Sequence, residues 1–376
     1  MYVVIIQTLI IDILELPDKS GLDIKALSRC FKSTSNAYKF YWFLAILDHV
    51  ASTDKLHIGL DEISMRMLSS VWYPLDFYKL SFGKQDGFKE LASIVSSKMD
   101  VDNSVNSISL LEQIEQRLPN KTALKLKHRI KMGLKRWVTF RFLSPFFEQH
   151  IRGLGDQQVN ETIFNLSNSK VYKDSVPYSI DSDGITLNPR WVAYFSEHQS
   201  ILRGFINWHL VKFLQKNNPN VVGLTEKLSK PIKRNLNSAK AYWRSFLAVS
   251  PISCIYSNSL VTISNFSLDH FIPWSYIAHD LLWNIVPTTR SVNSSKSDYL
   301  PDLSKYLDTF CTLQIQALNH HIQLGHNRLI EDYLPLLKNQ DVRLISDDIF
   351  KKVLSDEIGS HYRIAENLGF KVLGSK

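Results

Sequence analysis

Five residues in the last third of the chain constrain its local fold more than any compositional feature does. Asp269, His270, Asn284, Asn293 and Lys296 fall within 28 residues. Thirteen residues separate His270 from Asn284, eight separate Asn284 from Asn293, and two separate Asn293 from Lys296. Alternation in Val261-Thr262-Ile263 and in Phe266 to Phe271 predicts strands with a turn at Ser264-Asn265. Pro273 ends the second strand, residues 274–282 form a loop, and Trp283-Asn284-Ile285-Val286-Pro287 reads as a short returning strand. Thr288 or Thr289 can cap a helix carrying Asn293 and Lys296, which are three apart and so share a face.

The residue types in this strand–loop–strand–helix segment are those of phosphodiester hydrolysis at a single metal ion. Carboxylate and carboxamide oxygens suit a hard divalent cation. An imidazole can take a proton from water near neutral pH. An ammonium can offset charge on a phosphate. Any one of these residues alone has an ordinary structural explanation, so the spacing of the set carries the reading.

The segment resembles the HNH (ββα-metal) endonuclease family, and most closely the HNH domain of the RNA-guided CRISPR effector nucleases. There a DH-x-x-P run is followed by an Asn and then by N-x-x-K-S-D-x-x-P. Here the run is Asp269-His270-Phe271-Ile272-Pro273, and the ending is Asn293-Ser294-Ser295-Lys296-Ser297-Asp298-Tyr299-Leu300-Pro301. The resemblance covers roughly residues 250–305, and nothing outside it resembles the guide-binding parts of those effectors. It implies Asp269 and Asn293 as metal ligands for Mg²⁺, with Mn²⁺ as a substitute. It implies His270 as general base, Asn284 as the residue holding the loop and orienting His270, and Lys296 as a cation for the scissile phosphate. Many members also frame the site with four cysteines that bind a structural zinc. The corresponding positions here are Cys254, Ser257, Thr289 and Val292, so no structural zinc is expected. Apolar packing from Ile255, Tyr256, Val292 and Trp283 is expected in its place.

A chain of 376 residues has length for two or three units. The net charge of +8 favours a polyanionic partner. DNA is the expected substrate, with RNA as the alternative; cutting both strands would need a homodimer or two binding events, and a partner in bacterial restriction or anti-phage defence is a further expectation. A nucleic-acid-binding protein whose nuclease unit no longer cuts is the other reading. Three scattered cysteines imply no disulfide framework and a reducing, cytoplasmic setting. The apolar start, residues 1–14, is too short to span a bilayer and is interrupted by Asp12, so it reads as a buried first element with no membrane role.

The expected class is α+β: a mostly helical region over 1–240, an HNH unit over 241–305, and C-terminal helices over 306–376. Ser33 to Asn36 precede the apolar run Tyr38 to Leu47, hydrophobic nearly all round, which predicts a central helix. Trp72-Tyr73-Pro74 marks a turn-rich connection, and the polar stretch 97–120 marks a junction. A helix is expected from Thr122 to Trp137, with eight Lys/Arg between Lys121 and Arg141, among them Lys131, Lys135 and Arg136 as candidate phosphate contacts. Residues 153–190 read as a loop with a hairpin turn at Asp181-Ser182-Asp183-Gly184. Gly153-x-Gly155 lacks the strand–helix context and the Lys-Ser/Thr of a phosphate loop. A helix is expected over 198–215. A second basic stretch (Lys227, Lys230, Lys233, Arg234, Lys240, Arg244) leads into the site, with Lys233 and Arg234 as further nucleic-acid contacts. After Pro301, Leu303 to Leu318 has helical periodicity, and His320, His321 and His326 read as surface or packing residues.

Overall fold

The computed structural model describes residues 15–32, 34–83, 87–97, 107–119, 128, 137–230, 234–338 and 340–374. The apolar start 1–14, the helix expected over 122–137, and the candidate contacts Lys131, Lys135, Arg136 and Lys233 lie outside those residues, apart from His128 and Trp137 in that helix. The chain forms two compact units, Met1–Pro219 with Leu228–Lys230, and Asn220–Lys227 with Pro231–Lys376. Helices predominate and the sheets are small, as an α+β class requires. No helix among the described residues is long and apolar enough to cross a membrane.

In the first unit, α1 is Ile24–Arg29 and α2 is Tyr38–Ser52. The all-round apolar run makes α2 the centre of the core, with Phe40, Tyr41, Trp42, Phe43 and Ile46 buried. Three helices pack on it: α3, Leu60–Trp72; α7, Pro189–Glu197; and α8, Gln199–Asn217. The connection after Trp72 is a helical continuation, a π-type turn over Tyr73–Phe77, followed by α4, Phe88–Ser96. Residues 97–120, expected as a junction, contain α5, Ser107–Arg117, whose Leu110 and Ile114 are buried. Residues 153–190 are likewise more regular than expected, because α6, Asp156–Asn168, starts directly after Gly155 and buries Val159 and Ile163. The expected hairpin turn is present, joining β2, Tyr178–Ile180, to β3, Gly184–Leu187, with β1, His57–Gly59, on the other side of β3. Gly184 is required there, since an added Cβ would collide with the Ile58 carbonyl on the paired strand.

The second unit starts its main body with α9, Asn237–Val249, so the limit expected at residue 240 falls inside a helix. Two short strands follow, β4 at Ile252–Ser253 and β5 at Leu260–Val261, paired with each other. Then come β6, Phe266–His270; the short helix α10, Trp274–Ile277; β7, Ile285–Thr289; and α11, Arg290–Lys296. The unit closes with α12, Leu303–Gln323, and α13, Asp347–Leu368, which share one core with α9 and the β6–β7 loop. Phe271 of that loop stacks on Phe310 of α12 with ring centroids 4.0 Å apart. His321 packs as expected, stacked on Tyr242 with its Nε2 at the Tyr242 carbonyl, 3.0 Å away.

Candidate active site

The ββα arrangement follows from local chemistry. β6 and β7 pair antiparallel, with Phe266 opposite Thr289, Asp269 opposite Val286 and His270 opposite Ile285. The turn expected at Ser264-Asn265 is present, with Asn265 Oδ1 accepting from the Thr262 amide at 2.8 Å, and the strand before it, β5, pairs backwards with β4. Trp283 and Asn284, expected in the returning strand, lie in a 3₁₀ turn before it. Thr289 caps α11 by accepting from the Val292 amide at 3.4 Å.

α11 lies against β6 through the two residues the spacing placed on one face. The Asn293 amide group donates to Ser267 Oγ and to the Leu268 carbonyl, both at 3.0 Å. One turn later, Lys296 donates to the His270 carbonyl at 2.7 Å and lies 3.2 Å from Asp269 Oδ2. Lys296 and Asp269 are 1% and 4% exposed at the side chain, so this is a buried ion pair. Lys296 was expected as a cation for the scissile phosphate. Its ammonium stands behind Asp269, not free in the cleft, because the buried carboxylate is the strongest acceptor within its reach.

Asn284 sits just before β7 and bridges back to the loop after β6. It is fully buried, its Oδ1 accepts from the Ile272 amide at 2.8 Å, and its Nδ2 donates to the Ile272 carbonyl at 2.9 Å. The His270 ring is held by a different residue, its Nε2 meeting Asp280 Oδ1 at 2.9 Å. Asp280 was missed in the sequence. The available signal was that it is the sole acid between His270 and Asn284. Its neighbour His279 is pushed down to about 4 by burial, then by His361 and His270, and is neutral at pH 7. Tyr256 was also missed as a site residue. Its hydroxyl donates to Asp269 Oδ2 at 2.8 Å.

Asp269, His270 and Asn293 line a cleft of about 970 Å³. Four cations line it too: Arg234, Lys240 and Arg244 from the second basic stretch, and Arg290 of α11, which the sequence reading did not single out. Lys240 and Arg244 are one turn apart on α9 and share a face. Arg234 lies over the Trp274 ring, 5.3 Å from its centroid. Lys227 of the same stretch is not available to a ligand. It is buried and donates to the Tyr276 carbonyl.

The donor set fits a hard divalent ion. Tyr256 and Lys296 do not exhaust a carboxylate with about four lone-pair sites, and the Asn293 nitrogen is committed to β6, leaving its oxygen for a ligand. Around Cys254, one of the four positions where the resemblance would place a zinc ligand, the packing is apolar: Cys254 contacts Leu247 and Val261, flanked by Tyr256 and Val292. Ile255 and Trp283, also expected there, belong to the larger core. Burial raises the Cys254 thiol, but hydrogen bonds from Ser257, Thr288 and nearby amides outweigh it and hold it below the usual thiol value.

No curated protein and no solved structure matches this chain. Residues 253–302, which span β6, β7 and α11, match the family model described as HNH endonuclease.

Proposed function

We propose that this chain is a Mg²⁺-dependent endonuclease that hydrolyses DNA phosphodiester bonds, with Mn²⁺ as a substitute ion. The reading is carried by His270, which lines a cleft together with four cations and meets Asp280 through its Nε2. Asp280 accepts from Nε2, which leaves the Nδ1 lone pair to act as base. Water loses a proton to Nδ1 as its oxygen bonds to phosphorus. The bond to the 3′ oxygen breaks, and that oxygen leaves with a proton from solvent, giving a 5′-phosphate and a 3′-hydroxyl. Asp269 and Asn293 would hold the ion, which supplies positive charge at the phosphate and the departing oxygen. Asn284 fixes the backbone at Ile272, and with it the strand end that carries His270. Lys240, Arg244 and Arg290 hold the flanking phosphates. One such site cuts one strand per event.

The Lys296–Asp269 ion pair favours a second reading, a nucleic-acid-binding module that does not cut, with the ammonium standing in for the metal's charge. Supercoiled-plasmid cleavage decides between them, with Mg²⁺, Mn²⁺ or EDTA, comparing wild type with His270→Ala. Nicked product that requires metal and disappears in the variant is expected. Binding without any product in either metal would leave the second reading. Matched single-stranded DNA and RNA substrates separate DNA from RNA cleavage.

A further inference from the structure

The first unit has its own cleft, of about 1240 Å³, built between two helical rows. Lys25 and Arg29 are one turn apart on α1, and Lys32 lies just beyond it. Trp208, Lys212 and Lys216 recur every four residues on α8 and so form one stripe. His209 joins the rows, with its ring 4.6 Å from that of Phe205 and 6.4 Å from that of Phe31. Burial, then Lys212 and Lys32, hold His209 below its ordinary value, so both rows bring positive charge to the same place.

Two features of this cleft cost free energy in the free protein. Among the described residues, none of Lys25, Lys32, Lys212 and Lys216 has an acid within ion-pair distance. Glu15 and Asp18 are the two acids in the lining, against five cations. Trp208 is 47% exposed, with the Lys212 ammonium 5.4 Å from its ring centroid. A ligand that relieves both must carry repeated negative charge and a flat apolar face. Unpaired nucleotides have both, whereas paired bases would hide the flat face from Trp208.

We propose that this cleft binds a single strand of nucleic acid, with phosphates on Lys32, Lys212 and Lys216 and a base stacked on Trp208. The choice of a strand over a free nucleotide rests on the nuclease reading; the charge and stacking arguments do not. The cleft would then hold a strand on the unit that lacks the HNH segment.

The test is fluorescence anisotropy of a labelled single-stranded DNA on the full chain in EDTA. Lys240→Ala/Arg244→Ala is used as the background, so that the active-site cleft contributes little. Adding Trp208→Ala should weaken binding by about fivefold to a hundredfold, the range for losing one stacked base. Adding Lys212→Glu/Lys216→Glu should weaken it too and flatten the slope of log affinity against log salt by about 1.4. Thermal melts check that each variant folds. The proposal is overturned if the background protein binds no DNA, if Trp208→Ala binds as tightly as the background, or if a mononucleotide competes as well as the strand at equal phosphate. Groove-dependent binding in a protein that cuts nothing would sink the nuclease reading alone. A protein that cuts plasmid, yet binds the strand equally with and without Trp208, would sink the groove alone.

Discussion

Nε2 of His270 and Oδ1 of Asp280 lie 2.9 Å apart, ten residues apart in sequence and on opposite sides of the strand–loop junction. The contact sets the ring's tautomer and its rotation, two properties a general base needs and cannot supply for itself. Asp280→Asn keeps the shape but removes the charge that fixes the N–H at Nε2. It should lower kcat by about 10- to 100-fold, as losses of such partners do, with KM little changed. His270→Ala should lose about 10²- to 10⁴-fold. Steady-state cleavage kinetics test this, and an Asp280→Asn enzyme with wild-type kcat would remove Asp280 from the mechanism.

Lys296 makes a structural prediction. Lys296→Met leaves Asp269 buried with, among the described residues, the Tyr256 hydroxyl as its side-chain partner. Removing one member of a buried pair costs about 3–5 kcal/mol. Urea unfolding should show that loss. A change under about 1 kcal/mol, in the range of exposed pairs, would mean that Asp269 finds other compensation.

The cations of the active-site cleft should act on binding and not on chemistry. Lys240→Ala/Arg244→Ala should raise KM for duplex DNA. It should flatten the slope of log affinity against log salt by about 1.8, since each phosphate contact contributes about 0.9. A fall in kcat at unchanged KM would place these side chains at the reacting phosphate instead of its neighbours.

Lys227 gives a pH dependence. Burial, partly countered by Glu226, pushes its ammonium down to about 7 from the ordinary 10.5. Between those values the unfolded chain holds a proton that the folded chain does not. Stability therefore rises with pH across that window, and the penalty is fully present below about 7. Lys227→Met should flatten the rise by an amount on the order of 1–3 kcal/mol. Urea midpoints at pH 6.5 and pH 9 for both proteins measure it, and equal pH dependence in the two would show that Lys227 titrates normally.

Much of this was legible in local pattern. The all-round apolar run from Tyr38 foretold the central helix, because a helix with no polar face has to be surrounded. The order of strand, loop, strand and helix around Asp269 followed from alternation, Pro273 and the Thr289 cap, all of which act within a few residues. The polar stretches 97–120 and 153–190 misled, since α5 and α6 gain their stability by burying a few well-spaced side chains such as Ile114 and Ile163. The strand partner of β5 was not legible, because nothing in the 260–266 segment itself tells which neighbour will pair with it.

The sequence by itself determined the chemical set, Asp269, His270, Asn284, Asn293 and Lys296, and the face that Asn293 and Lys296 share. Those follow from residue identity and from helical and strand periods. Tertiary structure decided where each charge is spent. It turned Lys296 onto Asp269, set Asp280 behind His270, and drew Arg234, Lys240, Arg244 and Arg290 into one cleft. The physical reason is that a polar group's partner is whichever counter-group the packed chain brings within about 3 Å. Burial raises the cost of leaving it unpaired, and Lys296 lies 26 and 27 residues from the two groups it meets, a separation that local periodicity does not relate.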